Sequence, residues 1–285
     1  MRRRNLIKGV LVILSMIAIT MGVFLNANAQ DEEEQVNKEL LELGKKVYME
    51  RCMVCHGKKG DGNGPVNVMR RVEQSGRTIE TYPRDFTVGV FKFRTTPTGC
   101  LPTDNDLLYI INNGIQRSFM PAHKDRLTEK EKKAVIAYIK TFSDRWEEEE
   151  PCDPIPVKKP DWVGTEESIK KGAIVYKKMK CWECHGYDGT GNGPKADLLK
   201  DDWGKKIWPF DFTTGELKRG TTPENIYITF TTGLDGTGMP SYEDSLSEEE
   251  RWHLVSYTLW LMGKTKWKGH IVTKVTEASS TSKAK

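Results

Sequence analysis

The sequence predicts an all-α protein built from two tandem copies of one small helical unit. Three observations carry that prediction. An internal repeat relates the two halves of the 285-residue chain, as a duplicated unit would. Apolar residues recur at helical spacing in matched places of both halves. No run of alternating residues is long enough to argue for a sheet. The length agrees, because a compact domain takes about 100–150 residues. Hydrophobic residues make up 37% and charged residues 29%, so each unit is expected to have a small core and a wet surface.

Residues 1–29 read as a signal peptide. Arg2, Arg3, Arg4 and Lys8 give a basic start, Gly9 to Leu25 an uncharged apolar run of 17 residues, and Ala27-Asn28-Ala29 a small-x-small cleavage site. The pattern predicts cleavage after Ala29 and export to a periplasmic or equivalent oxidising compartment. The run is slightly short for a membrane span. The leader also accounts for the formal charge of +4: residues 30–150 carry 20 Lys/Arg against 21 Asp/Glu, and residues 151–285 carry 20 against 19. The remaining chain is near neutral, which argues against nucleic acid as a partner.

The first unit is assigned to residues 30–146. Leu40, Leu43, Val47 and Tyr48 recur at helical spacing up to Cys52. A shorter helix is expected after Thr103, to about Asn113. Thr128-Glu129-Lys130-Glu131 then fits a capping box, ahead of a stripe of Ala134, Val135, Tyr138 and Phe142. Residues 147–164 form a linker with prolines at 151, 154, 156 and 160, expected to be extended and semi-rigid. The second unit, 165–264, repeats the plan. Its short helix follows Thr222, and Ser247-Glu248-Glu249-Glu250 caps a stripe of Leu254, Val255, Tyr257 and Leu261. Residues 265–285 read as a polar tail, with Trp267 and His270-Ile271-Val272 as apolar exceptions.

The repeat can be followed residue by residue. Gly44 lies four residues before Tyr48, and Gly172 four before Tyr176. His56-Gly57 to Gly64-Pro65 parallels His185-Gly186 to Gly193-Pro194. Asp85-Phe86-Thr87 parallels Asp211-Phe212-Thr213, and Thr95-Thr96-Pro97 parallels Thr221-Thr222-Pro223. Gly114 to Met120-Pro121 parallels Gly233 to Met239-Pro240. The offset falls from 129 to 126 to 119, so short loop deletions separate the copies.

At the head of each repeat stands Cys-x-x-Cys-His: Cys52, Cys55 and His56, then Cys181, Cys184 and His185. This is the attachment site of a c-type haem. The two thiols form thioethers with the haem vinyl groups, and the adjacent His supplies an axial nitrogen. A lone motif could be half of a zinc site or a redox dithiol. Two copies with matched surroundings favour two covalently bound haem c groups. The Gly-x-Gly-x-Gly-Pro strings follow that motif and not a strand, so they are no dinucleotide fingerprint. No phosphate loop and no nucleophile–base arrangement is visible, and no nucleotide is expected.

The sixth ligand is inferred. Met120 and Met239, 64 and 54 residues after their histidines, both lie in Met-Pro turns of Gly-rich loops. Thioether is a soft donor that raises the potential of a haem iron. In the first copy His123 and Cys100 are rivals, and Met69 a weaker one. In the second, Met179 is too close to Cys181, Met262 lies in the last helix, and His253 reads as a helix-surface residue. Cys100 and Cys152 are left over. A mutual disulfide, free thiols and a ligand role for Cys100 are all open, and the oxidising compartment favours the disulfide. Phe86, Phe91, Phe93, Trp208, Phe210 and Phe212 read as lining of the haem pockets.

Over residues 36–264 the chain resembles the diheme class I c-type cytochromes: a helix, Cys-x-x-Cys-His, a glycine-rich loop ending in Pro, a distal Met-Pro, and a closing helix. The resemblance implies two tandem cytochrome c domains, each a small helical fold wrapped around one covalent haem c. It implies that the carbonyls of Pro65 and Pro194 take the hydrogen bond from the other ring nitrogen of His56 and His185. It also implies that Gly44 meets the last helix near Tyr138, and Gly172 near Tyr257. An exported electron carrier between respiratory redox partners is then expected, with His56, Met120, His185 and Met239 on iron and no catalytic residues. The alternatives are an electron-transfer subunit of a larger oxidoreductase, membrane-bound or multi-subunit, and a diheme enzyme of peroxidase or thiosulfate dehydrogenase type.

Overall fold

A computed structural model describes residues 34–73 and 76–266. The leader, its cleavage site, Trp267 and His270 to Val272 lie outside the described residues. Helix α1 runs over 34–51 and is followed by the one-turn helix α2 (Met53–His56). Then come α3 (Asp104–Asn113), α4 (Glu129–Lys140) and the one-turn α5 (Arg145–Glu148). The second copy supplies α6 (Glu166–Lys178), α7 (Trp182–His185), α8 (Pro223–Thr232) and α9 (Glu248–Leu261). Among the described residues no helix is long and apolar enough to cross a membrane.

The helices start where their hydroxyls cap them. Thr128 and Ser247 close capping boxes with Glu131 and Glu250, as the sequence predicts. Thr103 closes a third with Asp106, and Thr165 and Thr222 cap α6 and α8. Each copy is then held by a crossing of its first and last helices. A Cβ built on Gly44 would stand 2.0 Å from the Ala134 carbonyl oxygen, and one on Gly172 2.0 Å from that of His253. Only glycine lets the backbones approach so closely. Next to each crossing, Tyr48 packs on Tyr138 at 5.4 Å and Tyr176 on Tyr257 at 5.2 Å between ring centres. The crossing lies where the resemblance implies, at Tyr138 and Tyr257.

Three expectations need correction. A small antiparallel hairpin is present, β1 (Met69–Val72) on β2 (Thr78–Thr81), with Met69 opposite Thr81. Its strands of four residues are too short to show an alternating pattern, and Arg70 bonds Glu80 across it. Glu147 and Glu148 do not belong to an extended linker but to α5, whose Trp146 packs on the first core. His253 is not a surface residue. It is 6% exposed, bonded to Ser168 Oγ at 2.8 Å and packed on Trp162.

Each copy has its own apolar core, and a polar seam locks the two copies together. Arg94 is fully buried. It donates to the carbonyls of Phe91 and Pro97 in its own copy and to Thr232 in the other, and pairs with Asp235 at 2.8 Å. Arg219 answers from the second copy: it donates to the Arg94 carbonyl and pairs with Asp106, itself 3% exposed, at 3.3 Å. Cys100 and Cys152 form a disulfide. With Ile155 N–H donating to the Thr95 carbonyl, it pins the linker to the first copy.

Candidate functional site

In each motif one turn of helix brings the chemistry together. His56 N–H donates to the Cys52 carbonyl at 2.9 Å, and His185 N–H to the Cys181 carbonyl at 2.9 Å. The i, i+3 spacing puts both cysteines of a motif on one helix face with the His beside them. Tyr48 and Tyr176 each donate a hydroxyl to the carbonyl just past the His, on Gly57 at 2.8 Å and Gly186 at 2.6 Å. The turn is thereby bolted to the first helix of its copy.

The glycine-rich loop wraps back around that turn, bond for bond in both copies. Gly62 donates to the His56 carbonyl and Gly64 to Cys55; Gly191 donates to His185 and Gly193 to Cys184. A Cβ on Gly64 would come within 2.5 Å of the Val54 carbonyl oxygen, and one on Gly193 within 2.3 Å of that of Glu183. The glycines are therefore there for close backbone approach, and no phosphate site is implied.

The imidazoles are held by partners the resemblance does not imply. His56 Nδ1 donates to the Arg84 carbonyl at 3.1 Å, and His185 Nδ1 to the Phe210 carbonyl at 3.2 Å. Pro65 and Pro194 do not take this bond. The prolines end the glycine loop on the far side of the motif turn, whereas residues 84 and 210 open the Asp-Phe-Thr turn that passes the ring. In that turn Asp85 and Asp211 accept from the backbone N–H of Thr87 and Thr213 at 2.9 Å. These Asx-type bonds lay Phe86 on His56 at 4.5 Å and Phe212 on His185 at 4.6 Å. The signal was available in the sequence, because residues 84 and 210 directly precede a matched Asp-Phe-Thr. Phe91 packs on Phe86, as a pocket residue would, but Trp208 serves elsewhere, under Arg77 at 4.0 Å on the seam.

The electrostatics suit metal donation. Burial pushes His56 down, and His185 to about 4, against the opposing pull of the carbonyl bond. Both rings are thus neutral at ordinary pH, Nδ1 is taken, and no hydrogen bond engages Nε2 among the described residues. A carbonyl that accepts from the other ring nitrogen fixes the ring's orientation and its donor strength. Burial pushes Cys52 and Cys181 up to about 12. A reactive dithiol would need the opposite shift. No group of three or more His, Cys, Asp and Glu converges among the described residues, so a closed zinc site is not built. The donor set therefore fits haem c: paired thiols beside a neutral, oriented imidazole.

The Met loops also match. Ile115 N–H donates to the Met120 carbonyl and Leu234 N–H to the Met239 carbonyl, at 3.1 and 3.0 Å. Ser118 Oγ accepts from Met120 N–H, and Thr237 Oγ1 from Met239 N–H. Gly114 and Gly233 pack tightly under these turns. Met239 rests half-buried on the second core, and Met120 lines a cleft of about 380 Å³ with Arg71, Ile115 and Ala122. The disulfide takes Cys100 out of the ligand set. His123 is matched by Tyr242 in the second copy, at the offset of 119. Its N–H donates to the Ile111 carbonyl as that of Tyr242 does to Phe230, and the Tyr242 side chain hydrogen-bonds Cys181.

The chain is similar to known proteins along most of its length. A chain of the Kuenenia stuttgartiensis reducing HAO-like protein complex Kustc0457/Kustc0458 shares 43% identity with it, at a TM-score of 0.71, covering 77% of this chain and 96% of that one. No curated protein matches. The family described as cytochrome C oxidase, cbb3-type, subunit III matches residues 39–139 and 167–257, which fall on the two copies. With more than half of its length so matched, the chain belongs to this family of cytochrome c domains, which bind haem c and transfer electrons, and it carries two of them in tandem.

Proposed function

We propose that the chain is an exported diheme cytochrome c that passes single electrons between redox protein partners. Each domain holds one haem c through its two cysteines, with His56 and Met120 on one iron and His185 and Met239 on the other. The observation that carries the reading is the agreement of the two copies at the site: the same bonds hold both histidines, both glycine loops and both Met turns. The haem, when bound, supplies an iron that gains and loses one electron. The chain's own work is to fix the ligands and exclude water. The carbonyls of Arg84 and Phe210 orient the imidazoles, Phe86 and Phe212 cover one ring face each, and the paired Met loops close the distal side. Closed irons suit outer-sphere transfer and not substrate chemistry, which disfavours the peroxidase and thiosulfate dehydrogenase readings.

A second reading differs only in the partner. The similar Kuenenia chain comes from a multi-subunit complex, which favours a permanent subunit of a larger oxidoreductase over a free shuttle. The mass of the native assembly separates the two.

The test is a mass and spectroscopic one. Intact mass should show two covalent haems on a chain beginning at Gln30. Met120→Ala and Met239→Ala should each remove one Met–iron charge-transfer signature and lower one potential. A wild-type spectrum without that signature, or one unchanged by both substitutions, would sink the ligand assignment.

A further inference from the structure

The two Met loops share a fold and differ in what holds them. Gln116 and Asp235 occupy matched positions at the offset of 119, as do Arg117 and Gly236. The loop from Gly114 to Met120 contains one glycine, whereas the loop from Gly233 to Met239 contains three, Gly233, Gly236 and Gly238. Glycine loses the most conformational freedom on ordering, so the second loop is the harder to fix. Its internal bonds repeat those of the first. Thr237 N–H donates to the Leu234 carbonyl as Ser118 N–H does to Ile115, and each Met is tied back in the same way. Nothing inside the loop offsets the extra glycines.

The first domain supplies what the loop lacks. The Asp235 carboxylate, four residues before Met239, crosses the seam. It accepts from Thr98 Oγ1 at 2.8 Å and from Gly99 N–H at 2.9 Å, and pairs with Arg94 at 2.8 Å. Arg94 also donates to the Thr232 carbonyl at 3.0 Å, at the end of α8. One buried guanidinium thus holds both the base of the loop and its outward acid. The receiving stretch is itself pinned: Arg94 donates to the Pro97 carbonyl, Arg145 of α5 to the Gly99 carbonyl, and Cys100 is bonded to Cys152. The first loop is anchored differently. Arg117 bonds Glu73 of its own domain at 3.1 Å, and Gln116 meets the second domain through its backbone N–H, 3.2 Å from the Lys218 carbonyl.

We propose that Asp235 is a positioning residue for the second iron site, through which the first domain fixes the loop that carries Met239. This rests on the reading of Met239 as a ligand given above. The dependence runs one way. Loosening residues 97–100 of the first domain frees the ligand of the second iron and leaves Met120 in place.

The experiment titrates imidazole into the ferric holoprotein carrying Asp235→Ala, Asp235→Asn or Thr98→Val, the two haems being told apart by the Met120→Ala and Met239→Ala spectra. Imidazole competes with a Met ligand, so its affinity reads how firmly the loop holds Met239. Bonds to a charged group of this kind predict about tenfold tighter imidazole binding at the second haem of Asp235→Ala, with the first haem unchanged. Asp235→Asn keeps one acceptor oxygen and should fall between parent and Ala. Thr98→Val, an exposed position in the other domain, removes a single bond and should give about threefold. It decides the question where Asp235→Ala fails to mature. Amide exchange at Leu234 should quicken in the same order. Unchanged imidazole affinity in variants with full haem content overturns the proposal, even where Leu234 exchanges faster, and leaves Met239 as ligand. A gain without faster exchange puts the effect outside the loop and also overturns it. So does an equal gain at both haems, because a looser seam would then suffice. A Met239→Ala protein that keeps both Met–iron signatures overturns the ligand reading itself.

Discussion

In the first domain the carbonyl that holds the motif histidine belongs to Arg84; in the second it belongs to Phe210. The backbone bond is the same and the side chains share nothing. The same contrast recurs at Arg117 and Gly236, which share a left-handed backbone at φ 53° and 77°, and at Arg94 and Gly220. Where a position serves the haem site through its backbone, the two copies agree in geometry and are free in side chain. Where it serves the seam, the copies have diverged. Duplication leaves two identical faces, and a change on one of them alone builds a pair across the seam that the other lacks. Arg94 with Asp235 and Arg219 with Asp106 are such pairs, and neither is repeated at the matched positions.

The largest expected effect tests what is common to both copies. Gly172→Val would drive a side chain into the His253 carbonyl, and Gly44→Val into that of Ala134. Separating a helix crossing that carries the core should cost about 4 kcal/mol or more. Chemical denaturation of both variants checks this. A loss below about 1 kcal/mol in either would mean that the crossing is not rigid there.

The seam comes next. Arg219→Met leaves Asp106 buried without its ion partner, which should cost about 3–5 kcal/mol. Arg94→Met strands Asp235, which is more exposed, and should cost less. The shape of the transition matters as much as its midpoint. With the seam broken the domains should unfold in two steps, resolved by calorimetry, where the parent unfolds in one. A single step in both variants would mean that the disulfide and linker suffice to couple the domains.

Most of the shared geometry was legible in the sequence, and most of the seam was not. Both capping boxes, the glycine crossings and the paired Met-Pro turns follow from local patterns repeated at fixed offsets. The ring-holding carbonyls were misplaced on Pro65 and Pro194, because a backbone acceptor leaves no mark in the side-chain pattern. The hairpin was missed because four residues per strand carry no period. His253 was misread because a polar residue on a helix looks exposed until Ser168 and Trp162 cover it. The seam depends on how two domains turn toward each other, and no local spacing encodes that.

A smaller, pH-dependent difference separates His123 from Tyr242. His123 is 7% exposed, and burial lowers its pKa, with Arg126 and Arg51 adding to the shift. The folded domain therefore keeps this ring neutral while the unfolded chain binds a proton below its ordinary pKa of about 6.5. The unfolded state takes up more protons, so stability falls as pH drops through that value and is unaffected above it. His123→Tyr, which installs the second domain's residue, should flatten this part of the curve. Denaturation midpoints of parent and variant across that window check it. Parallel curves would show that His123 protonates as readily folded as unfolded.

The smallest effect is the most informative about the seam. Arg117 holds a left-handed backbone where the second domain has glycine. Arg117→Gly relieves that strain, worth about 1 kcal/mol. It also removes the bond to Glu73 at 3.1 Å and the contact over Phe210. Partly exposed pairs of this kind are worth about 0–1 kcal/mol, so stability should change by less than about 1 kcal/mol either way. The seam should pay instead. Phe210 loses the cation that packs it, and the carbonyl holding His185 loses its support from the first domain. The spectrum of the second haem should therefore shift while that of the first stays put. A shift confined to the first haem would mean that Arg117 serves only its own Met loop, and the strain at this position would then have no role across the seam.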